Sequence, residues 1–411
     1  MATQFTPATK NQPSYLGPFI TVTVLYFIFG FITNLNMALV PHLRSIFDLP
    51  YAWAMLAESA FFLAYFVFSS PTSKLIEIIG YKRTMVVSLF IQVIGCVLFV
   101  PAAKFVSFPL FLTAVFVVGA GVAALQTSAN PYVAILGPES SAPIRLNLAQ
   151  AFNSIGGTIA PLIAGAYILT DPSKLISKAS IADTVRLPYL LIAGGLLVLG
   201  VALTFMHLPH ISAENPSGLG SENGLSIWKY KHTVLGALGI FFYVGVEVGL
   251  ASIAVNYFKM QGMSTAKTAS FLVSLYWFGA LVGRLLGSGI MTKVKSGKLL
   301  GIFGFAAAAS ITISMYSSGP VAIWTLVLCG FFNSVMFPNI FTLGIAGLGP
   351  MTSKGSGLLM TAVVGGAIIP YMLGALADRV GIQHAFVLPV ICYLFIAYYG
   401  LWGSKPTRIA A

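Results

Sequence analysis

Charge is what this sequence has least of. Only 8% of its 411 residues are Asp, Glu, Lys or Arg, and only ten are acidic. A soluble domain carries roughly 25% charged residues, so a chain this poor in charge cannot cover a water-facing surface. Cysteine is scarce as well. Cys96, Cys329 and Cys392 all sit in apolar stretches, an odd number with no loop pairing, which excludes a disulfide framework. No CxxC or HExxH spacing appears, so no metal site of that kind and no cofactor is expected. The five histidines (His42, His207, His210, His232 and His384) fall at the ends of apolar runs or in loops, which argues against a membrane-embedded enzyme. Met1 to Gly17 is polar, so no cleavable signal peptide is expected.

What the sequence does have is apolar length: 57% of its residues are hydrophobic, with 31 Phe, 41 Gly and 22 Pro. The bilayer is therefore the expected solvent, since Gly and Pro are tolerated where neighbouring helices satisfy the backbone. A span needs about 20 apolar residues. Twelve are expected, at 18–42, 52–78, 84–102, 108–134, 145–169, 187–208, 232–258, 266–291, 298–317, 320–346, 353–377 and 382–403. The net charge of +12 does not read as nucleic-acid binding, because the cations lie in short gaps between apolar runs. Their bias favours the side bearing Lys74, Lys82, Arg83, Lys229, Lys231 and Lys293 as cytoplasmic, with both termini inside.

The gap 209–231, rich in Ser, Gly, Glu and Asn, reads as a cytoplasmic linker between halves at 1–208 and 232–411. An internal repeat supports the division. Gln126, Pro131, Leu136 and Gly137 share their spacing with Asn333, Pro338, Leu343 and Gly344. Gly156, Gly157, Pro161, Gly165 and Ala166 share theirs with Gly365, Gly366, Pro370, Gly374 and Ala375. The expected fold is all-α, with twelve transmembrane helices in two pseudo-symmetric six-helix bundles of the major facilitator type. Such a duplicated bundle points to a secondary transporter with its site near the midplane.

Ionisable groups at bilayer depth are costly and mark function. Glu58 and Glu247 are the two acids that read as intramembrane. Glu58 is either a ligand or an interfacial group near the outer end of its span. Glu247 is either a ligand or the partner of Arg284 in the next span. Amides cluster too: Thr33, Asn34 and Asn36; Gln126, Thr127, Ser128 and Asn130; Asn147, Gln150 and Asn153, with Asn333 in the second half. Each is either glue between helices or a ligand. As a group they suit a neutral polyol, whose hydroxyls donate and accept as amides do. Tyr243, Tyr257, Trp277 and Phe337 are candidate stacking partners for a sugar ring.

At these residues the chain resembles a known family. The runs Leu125–Pro131, Leu136–Ser141 and Arg145–Ser154 are similar to the bacterial fucose permease and glucose/galactose transporter family. So are Asn34-Leu35-Asn36 with Pro41-His42-Leu43, Gly80-Tyr81-Lys82, Pro101-Ala102-Ala103 and Gly283-Arg284. The resemblance implies a cation-coupled monosaccharide importer of the inner membrane, with Asn34, Gln150 and Asn153 as sugar ligands and Gln126 as a polar replacement. Two positions depart from the proton-coupled fucose permease. Met37 stands where that protein has Asp, and Gln126 where it has Glu. The resemblance therefore implies no relay of that kind, and sodium is the expected co-substrate. Its expected ligands are Glu58 with Gln126, Thr127 and Asn130; proton coupling through Glu247 and uncoupled transport are the alternatives. Substrate contacts are expected from Asn34, Gln126, Gln150, Asn153, Tyr243, Glu247, Trp277 and Asn333. The expected partners are a monosaccharide, the coupling cation and the bilayer, with no nucleic acid, and the chain is expected to be a monomer. A drug-efflux protein of the same fold would need a greasier cavity with fewer amides.

Overall fold

The computed structural model describes residues 16–48, 56–167, 178–206, 208–209, 226–262 and 266–406. The polar N-terminus, most of the expected linker and the Met37 side chain lie outside the described residues. Hydrocarbon offers the backbone no hydrogen bonds, so a spanning chain must supply its own. The described residues form helices and turns only. They are α1 (Leu16–Phe47), α2 (Leu56–Lys104), α3 (Phe108–Ile135), α4 (Ala142–Tyr167), α5 (Lys178–Asp183) and α6 (Arg186–Phe205) in the N-terminal half. In the C-terminal half they are α7 (Lys231–Met260), α8 (Ala266–Ile290), α9 (Ser296–Tyr316), α10 (Gly319–Asn333), α11 (Met336–Ile345), α12 (Thr352–Thr361), α13 (Gly365–Val380), α14 (Ile382–Ala385) and α15 (Val387–Tyr398).

Among the described residues, ten helices are long and apolar enough to cross a membrane. The 49-residue α2 is two of the expected spans, interrupted at Gly80 (φ 80°, ψ 168°), a backbone conformation that glycine adopts without penalty. The 26-residue α4 is about 39 Å long at 1.5 Å per residue, enough to cross. It falls short on apolarity because it carries Arg145, Asn147, Gln150 and Asn153. Splitting α2 and adding α4 brings the spans to twelve.

The repeat seen in the sequence is a repeat of helix contacts. A Cβ on Gly119 of α3 would lie 2.8 Å from the Phe61 carbonyl oxygen of α2; one on Gly330 of α10 would lie 2.2 Å from that of Tyr276 in α8. A Cβ on Gly156 of α4 would lie 2.1 Å from the Phe27 carbonyl oxygen of α1. One on Gly365 of α13 would lie 2.0 Å from that of Phe241 in α7. Each half thus seats two helix pairs backbone to backbone at matching places, the close approach that small residues allow in lipid. The halves differ in continuity. α3 and α4 run unbroken, whereas their counterparts are interrupted, α10 from α11 at Ser334–Val335 and α12 from α13 by the 3₁₀ turn Ala362–Val364.

The halves are tied together toward the end that carries the Gly80 turn. There Ser353 Oγ donates to Glu77 at 3.0 Å, and the Gly347 backbone N–H donates to Glu139 at 3.0 Å. Deeper in, Asn147 donates to Asn339 at 3.1 Å and Ser356 to the Thr127 carbonyl at 2.8 Å. Among the described residues, no hydrogen bond joins the halves at the opposite end.

Overpacking a tight contact costs about 1–3 kcal/mol. Gly365→Val is therefore expected to lower the thermal midpoint of the detergent-purified protein. Gly194→Ala, with nothing within 4 Å of the added methyl, should leave it unchanged.

Candidate functional site

A cavity of about 120 Å³ lies between the halves. A water needs roughly 10–15 Å³ on this measure, so the space takes about ten water-sized groups, the scale of one small ring with its substituents.

Its two walls differ in chemistry. The N-terminal wall carries most of the polar groups: Thr33 and Asn34 from α1, Tyr65 from α2, Gln126 from α3, and Gln150, Asn153 and Ser154 from α4, with Phe29 and Phe62 beside them. The α1–α4 contact builds most of it. Gly157 leaves room for Asn34, because a Cβ there would lie 2.7 Å from Asn34 Nδ2. Asn34 Nδ2 donates to the Gly30 carbonyl at 2.9 Å, and Gln126 Nε2 donates to Tyr65 Oη at 2.8 Å. Both amides have one N–H engaged by the protein, with the other N–H and the oxygen left over. Among the described residues the side-chain amides of Gln150 and Asn153 have no hydrogen-bond partner, and the buried Thr33 hydroxyl has none either. Because these groups open onto the cavity, a ligand or water there can complete them.

The C-terminal wall is aromatic and aliphatic: Tyr243, Val244 and Val248 from α7, Trp277 from α8, Phe337 from α11, and Val363 from the 3₁₀ turn. Two charged side chains interrupt it, Glu247 of α7 and Arg284 of α8. Tyr243 donates to Glu247 at 2.6 Å, one helical turn away. Arg284 turns elsewhere. Its Nε donates to the Ser334 carbonyl at 3.2 Å, in the gap between α10 and α11. Its Nη1 donates to the Gln150 carbonyl at 3.3 Å and to Ser154 Oγ, both on the opposite wall. The Glu247–Arg284 ion pair that the sequence allowed is not formed. The ion pairs among the described residues are Lys178–Asp48 and Arg186–Asp183.

Of the expected substrate residues, Asn34, Gln126, Gln150, Asn153, Tyr243, Glu247 and Trp277 line this cavity, as does Phe337. Asn333 does not. It is buried behind the wall and donates to Tyr276 Oη at 2.5 Å. Tyr257 is packed against Phe386 and donates to the Ser314 carbonyl at 2.8 Å.

The expected sodium ligands are not brought together. The first arm of α2 runs parallel to α3, from the Phe61–Gly119 contact to the Tyr81–Tyr132 contact. Glu58 lies before that first contact, in the first turn of α2. Thr127 lies more than two turns beyond it, about 12 Å of helix. Thr127 is fully buried, with its hydroxyl donating to the Ala123 carbonyl at 2.7 Å. Asn130 is fully buried too, accepting from Tyr26 at 2.7 Å and donating to Met360 Sδ at 3.5 Å. Gln126 faces the cavity, away from Glu58. The cluster Glu58, Gln126, Thr127 and Asn130 is therefore not a shared cation site in this structure.

Tyr65 was not marked by the sequence, and its role shows only through its partner. The amides at the two repeat positions, Gln126 and Asn333, each donate to a tyrosine on the preceding helix contact, Tyr65 and Tyr276.

Asn130→Ala would leave the buried Tyr26 hydroxyl without its acceptor, a loss of about 1–3 kcal/mol. The expected outcome is a lower thermal midpoint with an unchanged ligand-induced shift, read by differential scanning fluorimetry.

Residues 22–363 match the Major Facilitator Superfamily family model. A glucose/galactose transporter of Brucella abortus is 45% identical over 400 residues, covering 97% of this chain and 96% of that one. The crystal structure of the Escherichia coli fucose:proton symporter superposes with a TM-score of 0.85 at 30% identity, covering 95% of this chain and all of the other. A second structure, of the fucose transporter in the outward conformation, superposes with a TM-score of 0.84 at 31% identity, over 95% and 100% of the two chains. With two thirds and more of its length shared at this identity, the chain belongs to the Major Facilitator Superfamily, in the family of glucose/galactose transporters and fucose permeases.

Proposed function

We propose that this chain imports a neutral hexose, glucose or galactose, across the plasma membrane by alternating access. The observation that carries the reading is the two-sided cavity. Amide groups of Asn34, Gln126, Gln150 and Asn153 have hydrogen-bonding capacity to spare, and they face Tyr243, Trp277 and Phe337. Ring hydroxyls both donate and accept, and the apolar face of a pyranose stacks on aromatic rings. A hydrophobic drug would leave the amides unsatisfied at several places at once, which is costly. The Brucella relative named as a glucose/galactose transporter supports the choice of sugar.

In this reading both termini and the Gly80 turn are cytoplasmic, as the excess of Lys and Arg at that end suggests. Residues 1–208 and 232–411 are the rocking halves, 209–231 joins them, and the monomer is the working unit. The ties Glu77–Ser353 and Glu139–Gly347 then close the cytoplasmic side, consistent with an outward-facing form.

For the coupling cation the geometry favours a proton over sodium. Glu247 is the one carboxyl lining the cavity, whereas Glu58 stands apart from the oxygens that were to complete a sodium site. The related fucose symporter is proton-coupled.

Counterflow of labelled hexose in proteoliposomes tests the substrate. Exchange with glucose or galactose is expected, and none with hydrophobic cations; no exchange with any neutral monosaccharide would end the sugar reading. Uphill uptake driven by a pH gradient, and not by a sodium gradient at fixed pH, is expected. Asn153→Ala should raise the half-saturation concentration about tenfold, the equivalent of one hydrogen bond of about 1.4 kcal/mol, with folded yield intact. Tyr65→Phe, which removes the acceptor that orients Gln126, should raise it by a smaller factor.

A further inference from the structure

We infer that Arg284 is the positioning residue that couples the charge on Glu247 to sugar affinity, by holding or releasing the helix that presents Gln150 and Asn153. This rests on the hexose and proton readings above and adds to them how the two are linked.

Arg284 is the unusual group here. It is buried, with a relative exposure of 7%, and lines the cavity without an ion-pair partner. A guanidinium at this depth needs hydrogen bonds or a counter-charge. It has taken hydrogen bonds on both sides of the cavity. On its own half it donates to the Ser334 carbonyl, at the interruption between α10 and α11. Across the cavity it donates to the Gln150 carbonyl and to Ser154 Oγ. Asn153 lies between those two acceptors on α4. Arg284 therefore grips the one turn of α4 that offers two free amides to the cavity.

Glu247 is the competing partner. Its carboxyl lines the same cavity and accepts from Tyr243. The titratable or charged groups near it are few. On its own helix there is Tyr243, from α8 come Arg284 and Tyr276, and across the cavity α2 brings Tyr65. The neighbouring α11 and α13 offer apolar side chains at this level: Phe337 from the first, and Ile369 and Leu373 from the second, against Gly245 and Gly249 on either side of Glu247. The α1, α3 and α4 walls offer neutral amides and hydroxyls. Arg284 is thus the one permanent cation within reach of a Glu247 carboxylate.

The two states follow. With Glu247 protonated, nothing draws Arg284 off α4; Gln150 and Asn153 are held in place and sugar binds tightly. When the proton leaves to water, the Glu247 carboxylate and Arg284 attract each other across a poorly solvated gap. Arg284 turns toward it, α4 loses its two bonds, and sugar affinity drops. Because coupling is reciprocal, bound sugar in turn holds the proton on Glu247, so the two ligands load and leave together.

The test is hexose affinity of the purified full chain, by isothermal titration with glucose and galactose between pH 5 and 9, alongside counterflow in proteoliposomes. Wild-type affinity is expected to fall at least fivefold as pH rises, the lower end of typical coupling of about 5–150-fold. Glu247→Gln should bind tightly at every pH and exchange sugar, yet fail to accumulate it under a pH gradient. Ser154→Ala is the milder probe, leaving every charge in place. It frees Arg284 for Glu247, so the midpoint of the affinity profile should move to lower pH and affinity at pH 5 should weaken. A purely structural serine would lower stability and leave the midpoint where it was. Counterflow by the wild-type protein establishes the sugar independently. If exchange is present but the affinity profile is flat, or Glu247→Gln keeps the wild-type profile, or Ser154→Ala leaves the midpoint unmoved, the Arg284 link is overturned and the hexose reading stands.

Discussion

A side-chain amide in mid-bilayer must find its hydrogen bonds within the protein or in water the protein holds. Most of the arrangement described above follows from how this chain meets that demand. Some amides serve the fold: Asn130 is engaged at both ends, by Tyr26 and Met360, while Asn147 donates to Pro143 and Asn339, and Asn333 donates to Tyr276, each with its oxygen sealed away unpartnered. Others, Asn34 and Gln126, spend one N–H and keep the other and their oxygen for the cavity. Gln150 and Asn153 keep everything. Access to the cavity, rather than the count of bonds made, separates residues that hold helices together from residues that await something else.

The duplication makes the same point within one chain. The pairs Gln126–Tyr65 and Asn333–Tyr276 join the amides at the two repeat positions to a tyrosine of the neighbouring helix. Yet one pair lines the cavity and the other is sealed behind it. The second half presents Trp277 and Phe337 to the cavity instead. Two related bundles thus contribute unlike walls to one site, the amides from one and the two charged side chains with Tyr243, Trp277 and Phe337 from the other.

Much of this was legible in the sequence. The twelve spans, the parallel repeat and most of the cavity residues follow from apolar run length, fixed spacing and misplaced polar groups, all local signals. What was not legible depends on rotation about helix axes and on depth. Asn130 and Gln126 are one helical turn apart, and only packing decides that one is sealed and the other faces the cavity. Glu58 looked like a partner for α3 because the two helices are neighbours. The parallel course of the helices, with their contact at Phe61–Gly119, sets it at another height. Tyr65 was invisible because one tyrosine among 17 carries no mark until its amide partner is known. Arg284 was read as a salt-bridge partner. Its actual acceptors are backbone carbonyls and a serine, which charge counting does not weigh.

The backbone seats between α1 and α4 bear on what moves during transport. A Cβ on Gly30 would lie 2.1 Å from the Asn153 carbonyl oxygen, and one on Gly156 equally close to that of Phe27, so these two helices have no slack to slide past each other. Asn34 and Asn153 ride on them as if on a single plate. A passenger gripped by that plate keeps the same amide neighbours from one face of the membrane to the other. Whatever changes the grip on it between the two faces then has to come from the opposite wall.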